Sequence, residues 1–454
     1  MKRSALAFVI AGIVACAGEK SEVVPQYVLY VDTDAPLPKA SGARPSIDEP
    51  LPLFDRLRME VIPAGTDVPC RGCTNEFAID TELLRERRAS IGIALPRGTP
   101  GHRVRVRMFL QSLVRADSEP DPDATIDVNV PLPPLGEGRQ DLTVFLGTDI
   151  VGKPRTIEPS PGKLEASHVG SWEPATRVPC TTEPKEHEAC VPGGAFWMGG
   201  ASGPWAIVAE KDSFRPRLVV LSPFFLDKTE MTVKRFRPKN STDFWAVPWS
   251  GKNDGSEVLD FCNFRADIAE RDEHPLNCLP WSVARAFCRS EGGDLPTEAQ
   301  FEYASGGMFH RTFVWGEDPP ACTDATFSHG GYGVFGQVVS ECRPPNPPGG
   351  TTVPGTGLRD RLVLPTGTIV DLAGNVSELV LDQWNRHDEP CWNEPGVLVD
   401  PLCNKRSSDG DFRTARGGDW FTGGGRLARH IRSRIIAGLF ASPEVGFRCA
   451  RRDR

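Results

Sequence analysis

Beyond its first residues the chain has no long apolar run, and this excludes a helical membrane span, which needs roughly twenty apolar residues. It has no basic excess either. A net charge of −8 with 52 Lys and Arg against 60 Asp and Glu leaves no electrostatic footprint for nucleic acid. Tyr is nearly missing, with 4 residues, and all aromatics together make up 8%. Only one CxxC step occurs, Cys70-Arg71-Gly72-Cys73, and no His follows it at ligand spacing. A redox or zinc use of that step is therefore less favoured than a small structural clip.

What the chain does have is Gly 45, Pro 42, Trp 10 and Cys 13 in 454 residues. Such a composition predicts two or three loop-rich domains with scattered large anchors. The start, "MKRSALAFVIAGIVACAGEK", sets Lys2 and Arg3 before an apolar stretch from Ala5 to Val14. That is the shape of an export signal. Ile13-Val14-Ala15-Cys16 resembles a bacterial lipobox, so residues 1–16 read as a lipoprotein signal with Cys16 as the acylated residue. A lipid-anchored protein of the cell envelope, at the outer membrane, is expected. The twelve other cysteines form an even set, and an oxidising compartment makes disulfides their default use. Cys70/Cys73, Cys180/Cys190, Cys322/Cys342 and Cys391/Cys403 lie close in sequence.

Residues 24–152 show short alternating runs broken by Pro, Gly and Asp. In "HRVRVRMFL", Val104, Val106 and Met108 fall on one face and Arg103, Arg105 and Arg107 on the other. Seven such runs predict an antiparallel, immunoglobulin-like β-sandwich, with the three Arg on a solvated outer face. Residues 153–190 lack periodicity and read as a Pro-rich linker pinned by Cys180 and Cys190. Residues 191–454 differ. Leu218 to Phe236 reads as strand, turn and helix. Trp281, Ala284, Phe287 and Cys288 fall at helical spacing, and Gly292-Gly293 ends that helix. Thr297 with Gln300 forms a capping-box pattern for a second helix. The remainder reads as Gly-rich loop.

"VPGGAFWMGG", "FFLDKTEMT", "LPWSVARAFC", "LPTEAQFEYA", "VWGEDPP", "DLAGNVSE", "RGGDW" and "VGFRCAR" occur in this order between Val191 and Arg451. Together they resemble the formylglycine-generating enzyme, or sulfatase-modifying factor, family. The resemblance implies an α+β, C-type-lectin-like fold for residues 191–454. It implies a structural calcium held by the side chains of Asp371 and Glu378 and the carbonyls of Gly374 and Val376. Mixed carboxylate and backbone oxygens from one loop suit calcium. A disulfide between Cys288 and Cys449 is implied in the same way.

The catalytic members hold copper(I) with two cysteines shortly after the "RGG" step, and thiolates are the soft ligands that ion favours. At those positions this chain has Thr422 and Leu427, and Asp419 stands where a Ser is usual. No Cys lies between Cys403 and Cys449. Copper and formylglycine generation are therefore not expected. The iron-dependent branch of the family is not matched either, because no HxxxH pair exists. Asp419, His430 and Thr422 could be read as a hydrolytic set, but no spacing rule joins them, and a packed His430 is favoured. The Arg residues around it, Arg426, Arg429, Arg432 and Arg434, are expected to pair with acidic residues or face water. The expected function is a non-catalytic binding module for peptide or glycan. Trp315, Trp384, Trp392 and Trp420 are candidate groove residues beside Asp419 and Thr422, with packing as their alternative use. An oxidase with a non-standard site and a purely structural envelope lipoprotein are the other two readings.

Overall fold

The structure, a computed structural model, describes residues 25–94, 101–200, 215–243, 261–264, 270–330, 342, 350–436 and 442–453. The signal and Cys16 lie outside them. Seven strands come first: β1 (Gln26–Thr33), β2 (Arg56–Ile62), β3 (Thr74–Ala78), β4 (Ser90–Ala94), β5 (Arg103–Phe109), β6 (Ile126–Pro131) and β7 (Arg139–Leu146). Two short additions follow, β8 (Arg155–Thr156) and β9 (Ser160–Pro161). They form one sheet in the order β4-β1-β7-β9 and another in the order β3-β2-β5-β6-β8.

Period-two burial builds the shared core. Met59, Val106 and Val128 lie side by side across three strands, as do Val61, Val104 and Val130. Leu29 and Val31 of β1 and Leu142 and Val144 of β7 belong to the same apolar cluster. The expectation of a wholly antiparallel arrangement is corrected: β1 runs parallel to β7, and β6 parallel to β8. The chain visits the other sheet between β1 and β7, so it can return in the same direction. The Arg face is corrected at Arg107 alone, since Arg103 and Arg105 stay partly exposed. Arg105 and Arg107 stand opposite Glu60 and Asp127 across the ladder. Arg105 binds Asp127 at 2.5 Å, and Arg107, itself buried, binds Glu60 at 2.9 Å and Glu119 at 2.6 Å. Opposite charges on facing strands stabilise such a face by tenths of a kcal/mol per pair, roughly 0.2–1. The expected linker is not free chain either, because β8 and β9 extend the two sheets.

The second half carries β10 (Glu188–Val191), β11 (Gly194–Met198), β12 (Arg217–Leu221) and β13 (Phe224–Asp227), then helix Val233–Asp243. Helix Trp281–Ser290 buries Val283, Ala284, Phe287 and Cys288. Helix Glu298–Ala304 starts with the complete capping box of Thr297 and Gln300. Beyond it, where Gly-rich loop was expected, eight short strands occur. They are β14 (Arg361–Leu364), β15 (Gly367–Val370), β16 (Ser377–Gln383), β17 (Leu398–Val399), β18 (Phe412–Arg416), β19 (Arg432–Ile436), β20 (Val445–Gly446) and β21 (Ala450–Arg452). The sheet β19-β18-β16-β20 carries the segments of interest. Overall the chain is mostly β with few helices.

Six disulfides staple the fold: Cys70–Cys73, Cys180–Cys190, Cys262–Cys278, Cys288–Cys449, Cys322–Cys342 and Cys391–Cys403. Every cysteine among the described residues is used. Cys288–Cys449 closes a sequence separation of 161 residues and ties helix Trp281–Ser290 to the segment just before β21.

Candidate functional site

The segment from Asp371 to Glu378 runs from the end of β15 into β16 and is buried throughout. Its turns are made by Asp371 (φ 54°) and Asn375 (φ 61°), not by Gly374. Gly374 has another role: a Cβ there would lie 2.7 Å from the Thr326 carbonyl oxygen. The Asn375 side chain locks the turn, donating to Glu230 at 2.7 Å and accepting from the Thr352 amide at 2.8 Å.

Around this turn lie four buried carboxylates, Glu230, Asp360, Asp371 and Glu378. Glu230 accepts from the Val376 amide at 3.0 Å, and Asp360 accepts from the Leu372 and Ala373 amides at 3.0 and 2.9 Å. Burial first, and then repulsion from Asp371, pushes Asp360 up to about 8 and raises Glu230 as well. Burial also pushes Asp371 up to about 6. One oxygen of Asp371 accepts from the Gly355 amide at 2.5 Å, and the other, Oδ1, is buried without a hydrogen-bond partner. An orphaned carboxylate oxygen inside an excess of buried negative charge fits a cation. Glu378 does not fit the implied ligand role, because Arg448 already takes both of its oxygens at 2.6 and 2.7 Å. Among the described residues no group of three or more His, Cys, Asp or Glu is arranged to hold a metal ion. Glu230, Asp360 and Arg448 were not singled out from the sequence. Glu230 and Arg448 lie inside the quoted motifs "FFLDKTEMT" and "VGFRCAR", whereas Asp360, between Arg359 and Arg361, lies in none of them.

The "RGGDW" segment leaves β18 against helix Glu298–Ala304. Arg416 and Arg429 both bind Glu302, and Arg432 binds Glu298, with all five side chains buried. Arg434 lies 3.7 Å from Asp409. The Arg cluster is thus mostly internal ion pairing. Asp419 is a loop brace: its Oδ1 accepts from the Phe421 and Thr422 amides at 3.0 and 2.9 Å, and its Oδ2 from Ser377 at 3.2 Å. Burial, then Glu444, pushes it up to about 6. The Thr422 hydroxyl donates to the Asp419 carbonyl at 3.3 Å. Leu427 is buried in the apolar core with Phe301, Phe313 and Phe327. His430 is buried too, and burial first, then Arg429, pushes it down to about 3. Such an imidazole is a poor general base at neutral pH.

The tryptophans mostly pack. Trp384 and Trp392 are buried and flank the Arg432 guanidinium, whose carbon lies 4.4 and 5.7 Å from their ring centres. Trp420 is buried, donates to the Pro443 carbonyl at 3.0 Å and lies 4.8 Å from the Phe261 ring. The groove reading is corrected for these three, because none presents an open face. Trp315 is half-buried and stacked on Phe313, with centroids 5.1 Å apart.

Comparison with known proteins agrees with the motif order. The sulfatase-modifying factor enzyme 1-like domain family matches residues 175–453. The chain is similar to the formylglycine-generating enzyme of Streptomyces coelicolor, 31% identical over 159 residues, covering 28% of this chain and 50% of that protein. It is 26% identical over 298 residues to the Thermomonospora curvata formylglycine-generating enzyme, covering 57% of this chain and 91% of that protein. It is 26% identical over 196 residues to the inactive C-alpha-formylglycine-generating enzyme 2 of Bos taurus, covering 40% and 52%. The chain thus spans about half the length of the first and last of these relatives. Among solved structures, PvdO from Pseudomonas aeruginosa aligns over 61% of this chain and 100% of its own, with 17% identity and a TM-score of 0.42. With its motifs in order and residues 175–453 matched to one domain family, the chain belongs to the sulfatase-modifying factor, or formylglycine-generating enzyme, family.

Proposed function

We propose that this chain is a non-catalytic binding module for peptide or glycan, built on the sulfatase-modifying factor domain and lacking its copper oxidase site. The observation that carries the reading is the use of the thiols. All twelve cysteines from Cys70 to Cys449 are paired in disulfides, and a disulfide sulfur is not a thiolate ligand. Thr422 and Leu427 cannot substitute, since one offers a hydroxyl bound to its own loop and the other an alkyl group in the core. Calcium belongs to the same proposal, at Asp371 with the carbonyls of Gly374 and Val376, while Glu378 serves Arg448. So do the lipid anchor at Cys16, the outer-membrane location, the immunoglobulin-like character of the first domain and the C-type-lectin-like character of the second.

The test is turnover. The chain from Ala17 onward, supplied with copper(I) and calcium, is given a peptide with the Cys-x-Pro-x-Arg pattern in air. Mass spectrometry is expected to find the peptide Cys unchanged. Conversion to formylglycine would overturn the proposal.

A further inference from the structure

A cavity of about 420 Å³ lies where the first domain meets the second. Arg44, Pro45 and Ser112 line it from one side, and Phe309, His310, Arg311 and Thr312 from the other. It is separate from the Asp371 turn and from the loop braced by Asp419. Three features distinguish it from a simple packing gap.

The first is charge. Neither Arg44 nor Arg311 makes an ion pair with a described carboxylate. Arg311 instead lies over the Phe309 ring, 4.6 Å from its centre, and reaches only the Val314 carbonyl at 3.4 Å. Burial, and then the nearby Arg44, lowers its pKa, against a smaller opposing effect of Glu317. Arg429, also in the wall, is not available, because Glu302 and the Trp197 and Arg311 carbonyls occupy it. Glu317, the acid of the wall, is held by the Thr312 amide at 2.9 Å and the Thr312 hydroxyl at 2.5 Å, and partly offsets the two arginines.

The second feature is a hydrogen bond across the domain junction, between Ser112 Oγ and His310 Nε2 at 2.7 Å. It fixes the imidazole, whose other nitrogen, Nδ1, is buried with no partner. The third is backbone conformation. His310 sits at φ 51°, in the left-handed region that non-glycine residues seldom adopt. That strain persists only where the surroundings impose it.

We infer that this junction cavity is a binding site for a small oxyanion, a carboxylate or phosphate group that bridges Arg44 and Arg311. Guanidinium forks match both groups bidentately. Phe309 provides the apolar wall usual in a ligand site of this size. A ligand there touches both domains, so its occupancy stiffens the junction. The inference does not depend on the fate of the copper site.

The experiment is titration calorimetry of the full chain at low salt with two probes, inorganic phosphate and glucuronate. Saturable binding of at least one is expected, weakening as salt is raised. Arg44→Gln and Arg311→Gln are each expected to weaken it by about tenfold or more, the loss of one charged hydrogen-bonding partner. Both variants should keep the unliganded melting temperature. Arg88→Gln, an exposed cation elsewhere, should bind as the parent does. Phosphate alone would mark a phosphoryl ligand, glucuronate alone a carboxylate ligand, and both the shared oxyanion chemistry. Binding of neither probe, or binding unchanged in both Arg variants, overturns the inference.

Discussion

Arg448 lays two guanidinium nitrogens on the two carboxylate oxygens of Glu378, at 2.7 and 2.6 Å, and neither side chain is exposed at all. The same guanidinium donates to the Asp371 carbonyl at 2.7 Å. It therefore joins the chain end to both ends of the "DLAGNVSE" turn. Removing one partner of such a pair leaves a buried, uncompensated charge. Arg448→Met is expected to cost about 3–5 kcal/mol in chemical denaturation. Glu378→Gln should also destabilise, and the double variant should lose less than the two single losses combined. Strict additivity would show that the pair is not coupled.

The disulfides should rank by the loops they close. In the chain-entropy account, a link across 161 residues contributes about 5 kcal/mol, and one across three residues about 2. Replacing Cys288 and Cys449 together by Ser should therefore destabilise far more than replacing Cys70 and Cys73 together. Equal losses in urea titrations would contradict this ranking.

Asp419 sets a pH dependence. Its folded-state pKa is raised, to about 6, above the usual carboxylate value, by burial and then by Glu444. Below the unfolded value, near 4, both states hold the proton and the group costs nothing. As pH rises from about 4 to 6 the unfolded chain releases its proton first, so stability falls across that window. The loss is on the order of 3 kcal/mol and is complete above the folded pKa. Asp419→Asn keeps an oxygen for the Phe421 and Thr422 amides. It should flatten this part of the stability–pH curve, as followed by denaturant midpoints from pH 4 to 8. An unchanged slope would assign the titration to another group.

The strongly periodic parts of the sequence proved the most legible. Val104, Val106 and Met108 are fully buried where alternation put them, and Thr297 and Gln300 make the capping box their spacing announced. What alternation could not convey was who stands across the ladder. The Arg105 and Arg107 stripe became an ion-paired face because Glu60 and Asp127 come from other strands. Strands such as β18, "FRTAR", hid for a related reason. Arg416 is inward-facing and wholly buried, which its composition disguises, and Glu302, 114 residues away, makes that burial tolerable. The turn at Asp371 was visible as a motif, but the acids around it, Glu230 and Asp360, are brought in only by the fold.

Those acids bear on the calcium proposal. Burial, and then Asp371, raises both Asp360 and Glu230, so the cluster resists full ionisation, and Arg448 is already committed to Glu378. A divalent cation at the orphaned Asp371 Oδ1 would relieve that repulsion. Bound only by the folded state, calcium at a hundredfold excess over its dissociation constant should stabilise the chain by about 3 kcal/mol. Melting in calcium against melting in EGTA measures this difference. Asp371→Asn should lower the unliganded stability little, since it removes one repelling charge, yet it should abolish the calcium-dependent increment. Protons must leave the acids as calcium enters, so apparent affinity should rise with pH between about 6 and 8. An increment that survives in Asp371→Asn would place any calcium elsewhere, and no increment in the parent chain would remove calcium from this turn.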